Sequence, residues 1–264
     1  MLVVLLGAVA PAAAQPAATD PLARARQLYN SGKYDEAVSA AREAAARPGA
    51  RPEASLLLGR ALLERHRASR APEDLVDGRA ALRGVAAAGL DDRGRVDLVV
   101  GLGEALYLDG QYRSAAAMLE PVLEQMGLLA PEGREQVLDW WATAMDRHAQ
   151  TRGPDERPAI YHDISDRLSR HLARYPDSAA ASYWLPASAL ARGDLELAWD
   201  LAVAGWVRST LAPGAGVTLR ADLDRLVTTA LIPERVKRMV DEPDAGSASA
   251  RFTAEWDEAK GRWK

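Results

Sequence analysis

From Pro21 onward, apolar and small residues recur at intervals of three and four, and alternating runs of Val, Ile, Thr and aromatic residues are absent. Helix-forming Ala, Leu, Arg and Glu dominate instead, which predicts an all-α chain. The segment from Asp97 to Glu124 is the most informative, with Leu102, Gly103, Leu106, Gly110, Tyr112, Ala115, Leu119 and Val122 in sequence. Gly103 and Ala115 allow two helix backbones to approach, while Leu102, Leu106 and Leu119 fill the seam. Gly110 can take the φ > 0 conformation that ends the first helix. The pattern predicts a pair of helices joined by a tight turn.

The same spacing recurs along the chain. Ala25, Leu28, Gly32, Tyr34, Ala37, Ala41 and Ala44 repeat it near the start, and Leu185, Ala189, Gly193, Leu195, Ala198 and Ala202 repeat it later. Two further units are degenerate. Leu58, Gly59 and Leu62 open a first helix whose partner is delayed by Arg65 to Glu73. Trp141, Ala142 and Met145 open another, closed by Ile164, Leu168 and Pro176 after an inserted loop near Thr151 to Pro158.

On these residues the chain resembles the tetratricopeptide repeat family, over five units spanning residues 21–212. The resemblance implies a solenoid of antiparallel helix hairpins wound as a right-handed superhelix, because no such hairpin buries its apolar face alone. It also implies a concave wall lined by first helices, which nominates Arg26, Tyr29, Asn30, Arg60, Glu64, Glu104, Tyr107, Asp146, Arg147 and Tyr183 as residues binding a protein or peptide. One subtype of the family captures C-terminal carboxylates with a Lys and Asn clamp. Here the leading clamp positions are Leu22 and Arg26, so that ligand is not expected.

Beyond Pro213 the pattern changes. Leu219, Leu223, Leu226, Val227 and Ala230 share one side of a helix over 217–231, and Pro233 opens a shorter one over 234–240. This pair, within residues 213–242, is expected to cap the last repeat. Residues 243–250 read as a linker. Phe252, Trp256, Ala259 and Trp263 then form an aromatic stripe on a short helix over 251–264. Docking of that stripe onto its own chain is favoured over a partner's groove, and both over a membrane surface, because Glu255, Asp257 and Glu258 offset the nearby bases.

At the other end, Leu2 to Ala10 is apolar, Pro11 interrupts it, and Ala12 to Ala14 offer small residues before Gln15. The expectation is a secretory leader over 1–14 and a linker over 15–20, placing the mature chain in the periplasm or outside the cell. Leu2 to Ala14 is shorter than the roughly 20 residues that span a bilayer, so an integral membrane segment is not expected.

Composition narrows the chemistry further. The 264 residues are 48% hydrophobic and 27% charged, with a mean hydropathy of -0.21, the profile of a chain with a packed core. A net charge of -4 disfavours nucleic acid. The absence of cysteine excludes disulfides and thiolate metal sites. His66, His148, His162 and His171 are dispersed without metal-binding spacing, and no Gly-x-Ser-x-Gly, Ser-x-x-Lys or His-Glu-x-x-His motif is present. Arg60, Arg65, His66, Arg67 and Arg70 form the one local excess of positive charge, read as a solvated loop beside Glu64, Glu73 and Asp74. The sequence points to a non-enzymatic scaffold without cofactor or metal. A component of an envelope-assembly complex and a helical-array hydrolase stand as alternatives.

Overall fold

The computed structural model describes residues 20–212, 214–239 and 245–263, so the expected leader lies outside the described residues. Every regular element among the described residues is helical. The chain divides after Gly89 into two compact units.

The first unit holds α1 (Pro21–Asn30), α2 (Tyr34–Ala45), α3 (Pro52–Ser69) and α4 (Pro72–Arg83). Asp20 caps α1 by accepting the Leu22 N–H at 3.2 Å, and Pro21, Pro52 and Pro72 occupy first turns, where a missing N–H costs nothing. Each helix packs on the next, and α1 also touches α3. The second unit continues with α5 (Asp92–Leu108), α6 (Tyr112–Leu123), α7 (Pro131–Gln150), α8 (Arg157–Arg174), α9 (Ala179–Ala191) and α10 (Leu195–Arg208). Here too successive helices pack, and α5 on α7, α7 on α9 and α9 on α11 (Gly216–Leu226) add a second set of contacts.

One turn occurs three times. After α5, the Gln111 N–H donates to the Leu106 carbonyl at 2.9 Å and the Gly110 N–H to the Tyr107 carbonyl at 3.0 Å, with Gly110 at φ 75°. Lys33 and Gly32 make the same pair of bonds to Leu28 and Tyr29, and Asp194 and Gly193 to Ala189 and Leu190. This double bond back to the last helical turn needs a residue in the left-handed region, and glycine reaches it without a Cβ penalty.

The contact beneath the turn is equally specific. A Cβ added to Gly103 falls 2.7 Å from Leu119 Cδ2 and 2.8 Å from Cγ, and Leu119 is fully buried. Gly59 repeats this against Leu82, whose Cγ is 2.6 Å from such a Cβ. In α9 the corresponding interior position is Pro186, which has no N–H for the Ser182 carbonyl. Gly205 of α10 backs onto that carbonyl, 2.8 Å from where its Cβ would lie.

Three expectations are corrected. Arg65 to Ser69 is a further turn of α3 rather than part of a loop, and α4 starts at Pro72. The turn between them places Arg70, not glycine, at φ 61°. Residues 217–239 do not form two separate helices. A π turn (Val227–Leu231) joins α11 directly to α12 (Ile232–Lys237) and absorbs Pro233, which would clash in an unbroken α-helix. Finally, the linker expected over 243–250 is helical from Ala245 on, because α13 spans Ala245–Gly261.

Two apolar clusters stand out among the described residues of the second unit. One gathers Leu119, Leu138, Trp141, Ile164 and Leu168 from α6, α7 and α8. The other gathers Trp199, Leu223, Val227, Leu231, Phe252 and Trp256 from α10 to α13. The aromatic stripe thus docks on its own chain: Trp256 is fully buried, edge-on to Trp199 at 5.8 Å and to Trp206 at 5.7 Å. Its indole N–H donates to Asp224 at 2.9 Å, and Lys260 donates to the same carboxylate at 2.6 Å. Burial works to raise the Asp224 carboxyl, but the Lys260 and Trp256 hydrogen bonds prevail and hold it below the usual range. Trp263, the last aromatic of the stripe, stays 53% exposed.

The crossing can be tested with a double-mutant cycle. Gly103→Ala should destabilise the protein by ~1–3 kcal/mol through overpacking, and combining it with Leu119→Ala should restore part of that loss. Chemical unfolding of both singles and the double measures the coupling; strictly additive effects would contradict the contact.

Candidate functional site

In the second unit, the nominated side chains lie on α5, α7 and α9. Tyr107 on α5 is half-buried and meets Tyr112 edge-on at 5.6 Å, so the two rings pack as a pair across the turn. Glu104 is 1% exposed and belongs to the interior rather than to an open surface. On α7, Asp146 accepts the Tyr161 hydroxyl at 2.8 Å and the Gln150 amide at 2.7 Å, while Arg147 is exposed beside Gln150. Burial pushes the Tyr161 phenol above its ordinary pKa, reinforced by the Asp146 hydrogen bond.

Tyr183 on α9 sits in an acidic neighbourhood. Burial raises its phenol pKa first, and Asp222, Asp139 and Asp146 add to the effect while Arg225 opposes it. Its ring lies edge-on to Trp184 at 5.4 Å, and the Trp184 indole N–H donates to Asp139 at 2.8 Å. The structure therefore draws Asp146 and Tyr183 into one neighbourhood across α7, α9 and α11, and adds Asp139, Trp184 and Asp222. Sequence reasoning missed those three. The i, i+7 spacing of Asp139 and Asp146 on one helix face was the available signal.

In the first unit, Arg26 and Asn30 are exposed on α1. Tyr29 pairs edge-on with Tyr34 at 5.7 Å, repeating the Tyr107 and Tyr112 pair, and the Arg60 guanidinium lies over its ring at 5.6 Å. Glu64 accepts from Arg67 at 3.3 Å.

The cluster from Arg60 to Arg70 is not a solvated loop. Arg65 forms a bidentate pair with Asp74, Nη2 to Oδ1 at 2.6 Å and Nε to Oδ2 at 2.9 Å, and reaches Asp35 at 3.3 Å. The Asp74 side chain is 4% exposed. His66 Nδ1 sits 2.7 Å from the Ala71 carbonyl. Arg65 and Arg67 of the cluster are thus paired with carboxylates, and Arg65 staples α3 to α4 through a fork that lysine could not reproduce.

The histidines have different surroundings. His148 Nε2 lies 3.2 Å from Arg113, and His162 Nδ1 lies 3.4 Å from Arg192. His171 is 9% exposed, stacks on Tyr175 at 4.8 Å, and its Nε2 has no hydrogen-bond partner. Among the described residues no three His, Asp or Glu side chains converge to hold a metal. No helix among them is long and apolar enough to cross a membrane. Compared with known proteins, the sequence matches no family model and no curated protein.

Burial is the main cause of a downward shift of the His171 pKa to about 4, with Arg134 and Arg174 adding to it and Asp177 opposing. An unfolded histidine titrates near 6.5, so between these values the unfolded chain binds the extra proton. The contribution to stability is complete above pH ~6.5 and is lost as pH falls toward 4, by at most ~3 kcal/mol. Urea unfolding at about pH 7 and about pH 5 should show a smaller loss for His171→Gln than for the unaltered protein; equal losses would contradict the assignment.

Proposed function

We propose that this chain is a non-enzymatic scaffold of the tetratricopeptide-like kind, a solenoid of helix hairpins that binds a protein or peptide partner outside the cytoplasm. The observation that carries the reading is the recurrence of one turn, with the same pair of hydrogen bonds, after Tyr29, Tyr107 and Leu190. Recurrence of the glycine-on-leucine crossing at Gly59 and Gly103 supports it. So does the packing of α5, α7, α9 and α11 on one another, since a solenoid brings first helices together as one wall.

On this reading the partner lies along the α5, α7, α9 and α11 face, with Tyr107, Asp146, Arg147 and Tyr183 as contacts. Tyr183 is the strongest anchor, because a half-buried tyrosine binds large area with few rotamers to order and keeps a hydroxyl for hydrogen bonding. Arg26, Tyr29, Asn30, Arg60 and Glu64 are the corresponding contacts in the first unit. Export is inferred from the leader pattern over residues 1–14.

A photo-crosslinking residue at Tyr183 should trap a partner in cells, and the same residue at the exposed Ser169 of α8 should not. With that partner in hand, Tyr183→Ala should weaken binding by at least ~1 kcal/mol, about fivefold, while the protein stays folded. Equal trapping at both positions, or unchanged affinity, would reject the face. N-terminal sequencing of fractionated protein should find Gln15 first; a cytosolic chain retaining Met1 would reject export.

A further inference from the structure

A cleft of about 260 Å³ opens on the second unit between α8 and the α6 to α7 region, with Leu123 and Leu138 on its apolar side. Its opposite side is a single stripe of α8, where Arg167, Arg170, His171 and Arg174 follow one another at helical spacing. The charges divide unevenly. Arg167 is consumed by Glu120 and Glu124 of the α6 region, to both of which it donates. Arg170 pairs with Asp166 at 2.9 Å on the surface, where both side chains are more than half exposed and the bond is weak.

Arg174 is exposed and has no carboxylate partner among the described residues. Arg134 of α7 lies over the Tyr175 ring at 4.7 Å and donates to the Leu129 carbonyl at 3.1 Å, again with no carboxylate partner among the described residues. Asp177 is the acidic group acting on His171 against these two arginines. Next to them the buried His171 Nε2 makes no hydrogen bond, although burying such a group without a partner is ordinarily unfavourable. One guanidinium without a carboxylate partner among the described residues, Arg174, a second held only by a solvent-exposed pair, Arg170, and an unsatisfied imidazole nitrogen line one cleft together with Glu124, whose carboxylate is taken up by Arg167.

We propose that this cleft binds a small oxyanion, a phosphate or carboxylate group, held by Arg170 and Arg174 and hydrogen-bonded by His171, with any short organic tail against Leu123 and Leu138. Guanidinium forks match both oxyanions bidentately. The neutral imidazole supplies its donor once the tautomer places the proton on Nε2. A bound anion would also offset the field of Arg134 and Arg174 at the ring and make imidazolium easier to form.

Titration of the full chain with inorganic phosphate and, separately, acetate tests this, at ionic strength held constant with chloride and with the His171 ring followed by NMR. Expected are a saturable shift of the His171 signals, a higher titration midpoint for that ring, and binding about tenfold weaker in Arg174→Ala. Arg174 is exposed, so melting curves should show that variant to be folded. Arg262→Ala, which removes an exposed base paired with Glu258 on α13, should bind as the unaltered protein does. Saturation by phosphate alone would assign a dianionic group, and saturation by both would assign any oxyanion of the carboxylate type; either supports the site. Absence of saturation with both anions, or equal binding by Arg174→Ala, overturns it.

Discussion

The close crossing of paired helices is the constraint on which the rest depends. Where Gly59 meets Leu82 and Gly103 meets Leu119, the space for a side chain on one helix is filled by a leucine from the other. That approach positions buried small residues such as Ala61, Ala105, Ala115 and Ala116 in tight apolar seams, so alanine does the work larger residues do in wider cores. With so little volume per residue, stability depends on contact distance more than on hydrophobic mass. The large side chains are concentrated elsewhere, chiefly the tryptophans around α7 and around α10 to α13.

Polar groups at the element ends follow from the same economy. Short turns leave helix termini close to one another, and side chains from neighbouring elements satisfy them. Glu135 of α7 accepts the Ala180 N–H at 2.8 Å and the Ser178 hydroxyl at 3.1 Å, holding the start of α9 against α7. Burial raises its carboxyl pKa in spite of those hydrogen bonds. Asp224 does the same for α13, and Asp74 for the α3 to α4 turn.

The turns and crossings were legible because glycine leaves a mark at each: Gly32, Gly110 and Gly193 at positive φ, Gly59 and Gly103 in the seams. The lengthened α3 was not, since its turn uses Arg70 in a conformation that arginine does not advertise. Nor was the true start of α13. Gly246 and the small residues after it read as linker, yet Ala248 stands four before Phe252 and is itself buried, so the stripe begins earlier than its aromatics. Among binding candidates, the sequence placed Asp146 and Tyr183 on helices whose faces do meet. It could not tell that Glu104 turns inward, because a carboxylate in a helical pattern looks the same on either face. Asp139, Trp184 and Asp222 come from three helices, and only tertiary packing brings them together.

The docking of α13 has a consequence for how the chain is made. Trp256 fills a space bounded by Trp199, Trp206 and the π turn, and it reaches Asp224 across 32 residues of sequence. During synthesis α10, α11 and α12 therefore emerge from the ribosome before the side chain that completes their cluster exists. Until α13 follows, two tryptophans lie open on a nascent intermediate, which is the kind of surface that chaperones recognise.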